Sequence, residues 1–168
     1  PCPKCSRHRE DVVQLSGREK PTYPFLVDSS AGVNLFESAD ICKHLTRAYG
    51  DGAEPLPPPP LPLLALPSLF RFGRGIDIAE GAVRRPTPAQ ALTLYSYDGN
   101  QFCRLVREVL CELDLPYELR STGKGSLRRE ELQQLCGKTT APYLVDANTG
   151  VKMGESADIV AYLQKTYA

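Results

Sequence analysis

The sequence predicts a mixed α/β fold of β-α-β-α-β-β-α order, built once in full and a second time in its C-terminal half. Two observations carry this. First, the chain repeats itself: PFLVDSSAGVNLFESADICKHLTRAYG at 24–50 returns as PYLVDANTGVKMGESADIVAYLQKTYA at 142–168, at a constant offset of 118. Pro24, Leu26, Val27, Asp28, Gly32, Val33, Glu37, Ser38, Ala39, Asp40, Ile41, Leu45 and Tyr49 recur unchanged, far above chance for so long a segment. Second, from residue 92 onward, short β-rich runs alternate with apolar stripes at helical spacing.

The elements follow in order. Leu92-Thr-Leu-Tyr-Ser-Tyr97 alternates and is rich in β-formers, so it reads as a strand. Asp98-Gly99-Asn100 is a turn whose last residue suits the N-cap of a helix. Phe102, Leu105, Val106, Val109, Leu110 and Leu113 form one stripe on a helix near 101–114, which Pro116 ends. Tyr117–Arg120 is a second strand and Thr122–Gly125 a loop. Ser126 is expected to cap a helix through Leu135, with Glu130 and Glu131 at its positive end and Gly137 as its stop. Tyr143–Val145 and Val151–Met153 are strands joined by the Asn148-Thr-Gly150 turn. Glu155-Ser156 opens the last helix, with stripe Ile159, Val160, Leu163 and Tyr167. This is the element order of a thioredoxin-like fold, its first two strands made parallel by a crossover helix.

The earlier copy is shorter. Ser6–Gly17 aligns with Ser126–Gly137 at an offset of 120, so this copy starts at the end of its second strand. The expected organisation is a partial repeat at 1–50, a linker at 51–91 and a complete repeat at 92–168. Half a domain could hardly bury enough surface to be stable alone. The linker carries Glu-Pro-Leu-Pro-Pro-Pro-Pro-Leu-Pro, a polyproline II spacer. Its apolar stretch (Leu63, Leu64, Leu66, Leu69, Phe70, Phe72) either packs on one repeat or serves as a membrane-surface segment or a docking segment for a protein partner through residues 61–72.

Twenty basic residues balance 20 acidic ones, so no nucleic-acid partner is expected. No apolar run reaches the roughly 18–20 residues of a membrane span. Six cysteines fit thiol chemistry or burial in a reducing compartment better than a disulfide scaffold. Cys2-Pro-Lys-Cys5 is in the wrong place for a redox pair, because the alignment sets it opposite Thr122–Gly125, away from a helix N-terminus that would lower a thiol's pKa. No metal site is expected, although His8, Cys42 and His44 share the same copy. Cys42 aligns with Val160 on a buried stripe, and His44 aligns with Tyr162. The strand-to-helix position where a redox pair belongs reads Asn100-Gln-Phe-Cys103, with Asn in place of the nucleophile. Cys103 lies in the first helical turn, where the partial positive charge favours thiolate. Cys111 and Cys136 read as ordinary helix and helix-end residues.

Asn100-Gln-Phe-Cys-Arg-Leu-Val-Arg-Glu-Val-Leu, Leu115-Pro-Tyr, Gly123-Lys-Gly-Ser, Ala141-Pro142 and Gly154-Glu-Ser-Ala-Asp-Ile159 resemble the glutathione S-transferase N-terminal domain. The pattern resembles most the tandem form found in plastid proteins of plants and algae, whose linkers mix arginine and glycine as in Phe72-Gly-Arg-Gly75. The resemblance implies a plastid stroma location, glutathione as ligand or co-substrate with no metal, and a role in redox homeostasis. It implies that Ala141 and Pro142, with Tyr23 and Pro24 in the earlier copy, align the glutathione backbone. Glu155 and Ser156, with Glu37 and Ser38, would hold its γ-glutamyl carboxylate at a helix N-terminus. Asn100 and Cys103 would carry any glutaredoxin-like or transferase-like chemistry. The rival expectation is a catalytically inactive interaction scaffold.

Overall fold

The computed structural model describes residues 2–55, 60, 70–72 and 74–168. Most of the polyproline run and residues 61–69 of the apolar stretch lie outside the described residues. The chain divides into two compact units, Pro1–Arg7 with Arg71–Ala168, and His8–Phe70.

The unit containing Arg71–Ala168 holds β3 (Leu92–Ser96), α3 (Gln101–Glu112), β4 (Tyr117–Ser121), α4 (Arg128–Cys136), β5 (Tyr143–Asp146), β6 (Val151–Gly154) and α5 (Ser156–Tyr167). The sheet order is β4-β3-β5-β6. β3 and β4 are parallel through the α3 crossover, whereas β5 is antiparallel to both β3 and β6. This mixed sheet with its β-α-β-α-β-β-α order is the thioredoxin-like arrangement. Alternation on β3 sends Leu92 and Leu94 to one face, where they meet Val106, Val109, Leu110 and Leu113 of the α3 side and Ile159 and Leu163 of α5. On the other face, the Tyr95 hydroxyl donates to Glu131 of α4 at 2.6 Å.

Local signals explain the boundaries. Asn100 caps α3, its Oδ1 accepting from the backbone of Phe102 and Cys103. The helix stops at Glu112, not 114. Asp114 enters the left-handed region (φ 54°) and Leu115 N–H donates back to Leu110 O, a Schellman closure that ends the helix before Pro116 is reached. Ser126 also sits differently from the expectation. Its hydroxyl donates to Ser121 O and accepts from Arg128 N–H, so it closes the preceding turn and α4 begins at Arg128. Gly137 ends α4 at φ 74°, as Gly17 ends the helix Arg9–Ser16 at φ 66°.

Residues 2–7 belong to this unit. Lys4 bridges to Asp77, and Lys4 N–H donates to Ile76 O. The buried Asp114 carboxylate accepts from Ser6 Oγ at 2.5 Å and from Arg7 N and Nε. Arg71 pairs with Glu108 and Arg74 with Glu112, so linker residues line up along α3. The compact units are therefore cut at 7/8 and 70/71, whereas the sequence segments meet at 50/51 and 91/92.

The unit His8–Phe70 holds α1 (Arg9–Ser16), β1 (Phe25–Asp28), β2 (Val33–Phe36) and α2 (Ser38–Tyr49) among its described residues. β1 and β2 form a two-stranded antiparallel sheet. Cys42, expected on a buried stripe, is exposed, because the described residues of this unit place no second helix against α2.

Candidate functional site

Most of the residues singled out in the later repeat converge on one groove. Ala141, Pro142, Glu155 and Ser156 line it with Phe102, Thr140 and Ala157, around a volume of about 420 Å³. That is within the roughly 300–1,000 Å³ typical of small-ligand clefts. Three local features build it. The Ala141–Pro142 peptide is cis and delivers the chain into β5. Glu155 takes φ 63°, ψ 118°, a conformation costly for a residue with a Cβ. Ser156 then starts α5, whose first-turn N–H groups have no intrahelical acceptor. The first turns of α3 and α5 thus both border the groove, a setting that favours negative charge.

Asn100 ties the groove together. Its Nδ2 donates to Ala141 O at 3.1 Å and to Tyr97 Oη at 3.3 Å, while its Oδ1 caps α3. Cys103 lies one turn on and is 0% exposed, so its thiol cannot meet a disulfide in solution in this conformation.

A second depression of about 460 Å³ shares Thr140 and Glu155 with the groove and adds Cys136, Lys138, Tyr143, Lys152, Met153, Gly154 and Asp158. Burial raises the Tyr143 phenol's pKa, and the neighbouring Cys136 raises it further. Sequence reasoning missed Phe102, Thr140 and the two lysines. Phe102 was assigned to the apolar stripe, yet it is 51% exposed and forms the groove's lip. Thr140, next to Ala141, was detectable by position alone.

The earlier repeat keeps the backbone features. Tyr23–Pro24 is cis, Glu37 has φ 64° and ψ 119°, and Ser38 opens α2. The Tyr23 ring lies under the Arg9 guanidinium, 4.8 Å from its centroid. Among the described residues of this unit, no strand and helix equivalent to β3 and α3 stand beside Tyr23 and Pro24, so the structure gives those four residues no opposing wall. Cys5 is exposed with φ 62° in the short segment leading to Ser6, and not at a helix N-terminus. No group of three or more His, Cys, Asp or Glu side chains able to hold a metal occurs among the described residues. No helix among them is long and apolar enough to cross a membrane.

Residues 94–168 match the family model described as glutathione S-transferase, N-terminal domain. That stretch is the whole of the groove-bearing fold after the start of β3. A glutathione transferase of Bombyx mori is similar to the chain at 27% identity, covering 49% of this chain, with a TM-score of 0.44. The chain spans 39% of that protein's length. No curated protein matches the chain. Residues 94–168 are thus similar in sequence to the glutathione S-transferase N-terminal domain.

Proposed function

We propose that the chain is a glutathione-recognising protein whose later unit binds the tripeptide in the Ala141–Ser156 groove. The observation that carries this is the convergence of Ala141, Pro142, Glu155 and Ser156 with the first turns of α3 and α5 on one groove. Glutathione is a peptide with two carboxylates, one ammonium and a thiol. The Ala141 backbone can pair with its peptide groups, the Ser156 hydroxyl and α5 N–H groups can take the γ-glutamyl carboxylate, and the Glu155 carboxylate can meet the ammonium. In this reading 24–50 is half of a second such domain, in which Tyr23, Pro24, Glu37 and Ser38 keep the recognition geometry. The proposed setting is thiol homeostasis in the plastid stroma, supported by the resemblance to tandem plastid proteins.

The sealed Cys103 favours ligand binding over thiol exchange. It is equally what the rival reading, a catalytically inactive pair of thioredoxin-like modules serving as an interaction scaffold, requires. Calorimetric titration of the full chain with glutathione tests the proposal. Saturable binding that weakens about tenfold in Ser156→Ala, roughly 1.4 kcal/mol, is the expected result. Hydroxyethyl disulfide reduction should stay near background and be unchanged by Cys103→Ser. Absence of binding to the wild type would sink the proposal.

A further inference from the structure

The sheet order β4-β3-β5-β6 leaves β4 (Tyr117–Ser121) paired on one side only among the described residues. Two bonds show which of its backbone groups are left over. Leu92 N–H donates to Pro116 O and Thr122 N–H donates to Ser96 O, so Pro116 and Thr122 turn these groups toward β3. A strand alternates, so Glu118 and Arg120 do the same, while Tyr117, Leu119 and Ser121 point their N–H and C=O groups to the free edge. Of these outward groups, only the Ser121 carbonyl holds a partner among the described residues, the Ser126 hydroxyl at 2.7 Å.

The side chains at this edge are symmetric about its centre. Leu119 sits in the middle, in register with Leu94 and 48% exposed. Glu118 and Arg120 flank it on the opposite face, paired with each other at 2.7 Å, and Arg120 also reaches Glu131 at 3.3 Å. Charges on an edge strand ordinarily deter pairing with another chain. Here they are of opposite sign and equally distant from Leu119, so an antiparallel second copy turned about that residue meets each charge with its opposite.

We propose that β4 is the interface of a symmetric pairing between two copies of this chain, with Leu119 on the two-fold axis and the two sheets joined edge to edge. In this register the two Leu119 residues exchange N–H···O=C bonds, and each Ser121 N–H meets the second copy's Tyr117 carbonyl. Glu118 stands directly opposite the second copy's Arg120 in a non-hydrogen-bonded pair, where side chains approach closest. Sliding by two residues in either direction keeps backbone bonds but sets Glu118 against Glu118 or Arg120 against Arg120. Sliding by one sets outward groups against inward ones and removes the bonds. Only the register centred on Leu119 satisfies both backbone and charge. No groove residue lies on β4, so this pairing and the glutathione reading stand or fall separately.

Sedimentation equilibrium of the full chain, from micromolar to millimolar concentration, tests the proposal. A reversible monomer–dimer equilibrium is expected, at the weak end of specific interfaces because the contact is small. At high concentration, hydrogen exchange should slow at the Leu119 and Ser121 amides and stay unchanged at Glu118 and Arg120, whose amides already face β3. Leu119→Glu and Leu119→Lys each set like charges across the axis and should weaken self-association more than about tenfold. An equimolar mixture of the two variants should recover dimers to at least the wild-type level. Exchange of the buried Leu110 amide reports that each variant is folded. A wild type that stays monomeric throughout, dimers that persist in either variant alone, a mixture of folded variants that stays monomeric, or wild-type exchange without the alternation would each overturn the proposal.

Discussion

Residues 24–50 and 142–168 share a sequence and a local backbone, yet they do not share an interior. Both enter through a cis proline, both turn at a glutamate with φ near 64° or 63°, and both open a helix with Ser-Ala-Asp-Ile. Asp28 and Asp146 even make matching networks. Asp146 accepts from the Tyr162 and Tyr167 hydroxyls, and Asp28 from the Tyr49 hydroxyl and the His44 ring. The interiors diverge completely. Leu163 is 0% exposed and its counterpart Leu45 is 40% exposed; Leu144 is buried and Leu26 only half-buried. The cause is one layer of structure: β5 has β3 along its second edge and α5 packs on α3, whereas among the described residues β1 pairs with β2 alone. Local sequence dictates the turn and the cap, and the neighbouring strand and helix decide how much that geometry is stabilised.

The largest expected difference is in the cores. Leu163→Ala removes a side chain enclosed by α3 and the sheet and should cost about 2–5 kcal/mol. Leu45→Ala takes away a side chain already in contact with water, and about 0.5 kcal/mol or less is expected. Native-state hydrogen exchange reads α5 and α2 amides separately, which keeps the two units distinct. Equal loss of protection in the two variants would show that α2 is covered as fully as α5.

The second contrast is in the carboxylates. The ordinary aspartate value is 3.8, and both side chains are held below it. For Asp28 the largest cause is the His44 hydrogen bond, followed by Ser30 and Tyr49. For Asp146 burial pushes upward, but Tyr162, Tyr167 and Asn148 together outweigh it. Since folding lowers these values, the stabilisation is complete above the unfolded value and is lost as pH falls from about 4 toward the folded values. His44→Phe deletes the main cause at Asp28, so its carboxyl should titrate closer to the ordinary range and α2 should lose protection at higher pH. Tyr162→Phe should do the same more weakly at α5, where Tyr167 remains. Carboxyl carbon NMR titration checks both, and an Asp28 profile unmoved by His44→Phe would break the analogy between the networks.

Much of this architecture was legible in the residues. The alternation in Leu92–Ser96, the Asn100 cap, the terminal Gly137 and the repeated Pro and Glu-Ser positions each report a local backbone requirement, and such requirements are written in short stretches of sequence. What stayed hidden depends on distant neighbours. The exposure of Cys42 follows from the packing around α2, not from its place on a stripe. The attachment of residues 2–7 to the later unit rests on Asp114, more than a hundred residues away in sequence, which nothing near Arg7 announces. The groove was half legible: Ala141, Pro142, Glu155 and Ser156 came from motif positions. Phe102 was hidden by helical periodicity, and the full commitment of Asn100 appears only once Tyr97 and Ala141 are seen around it.

The smallest effect separates geometry kept for folding from geometry kept for a ligand. A side chain held at φ 63°, ψ 118° costs on the order of 1–3 kcal/mol, and glycine removes that cost while adding about 0.5–1 kcal/mol of unfolded-chain entropy. Glu155→Gly and Glu37→Gly should therefore each be neutral to stabilising by about 1 kcal/mol, detectable as slower exchange in α5 and α2. If the strained glutamate serves recognition, Glu155→Gly should gain stability and lose glutathione affinity together, whereas Glu37→Gly should gain stability and leave affinity unchanged, because the described residues beside it supply no facing helix. Loss of stability in both variants would mean that the glutamate side chains hold the turns themselves, and the repeated Glu-Ser would then be an architectural feature of the hairpin-to-helix junction.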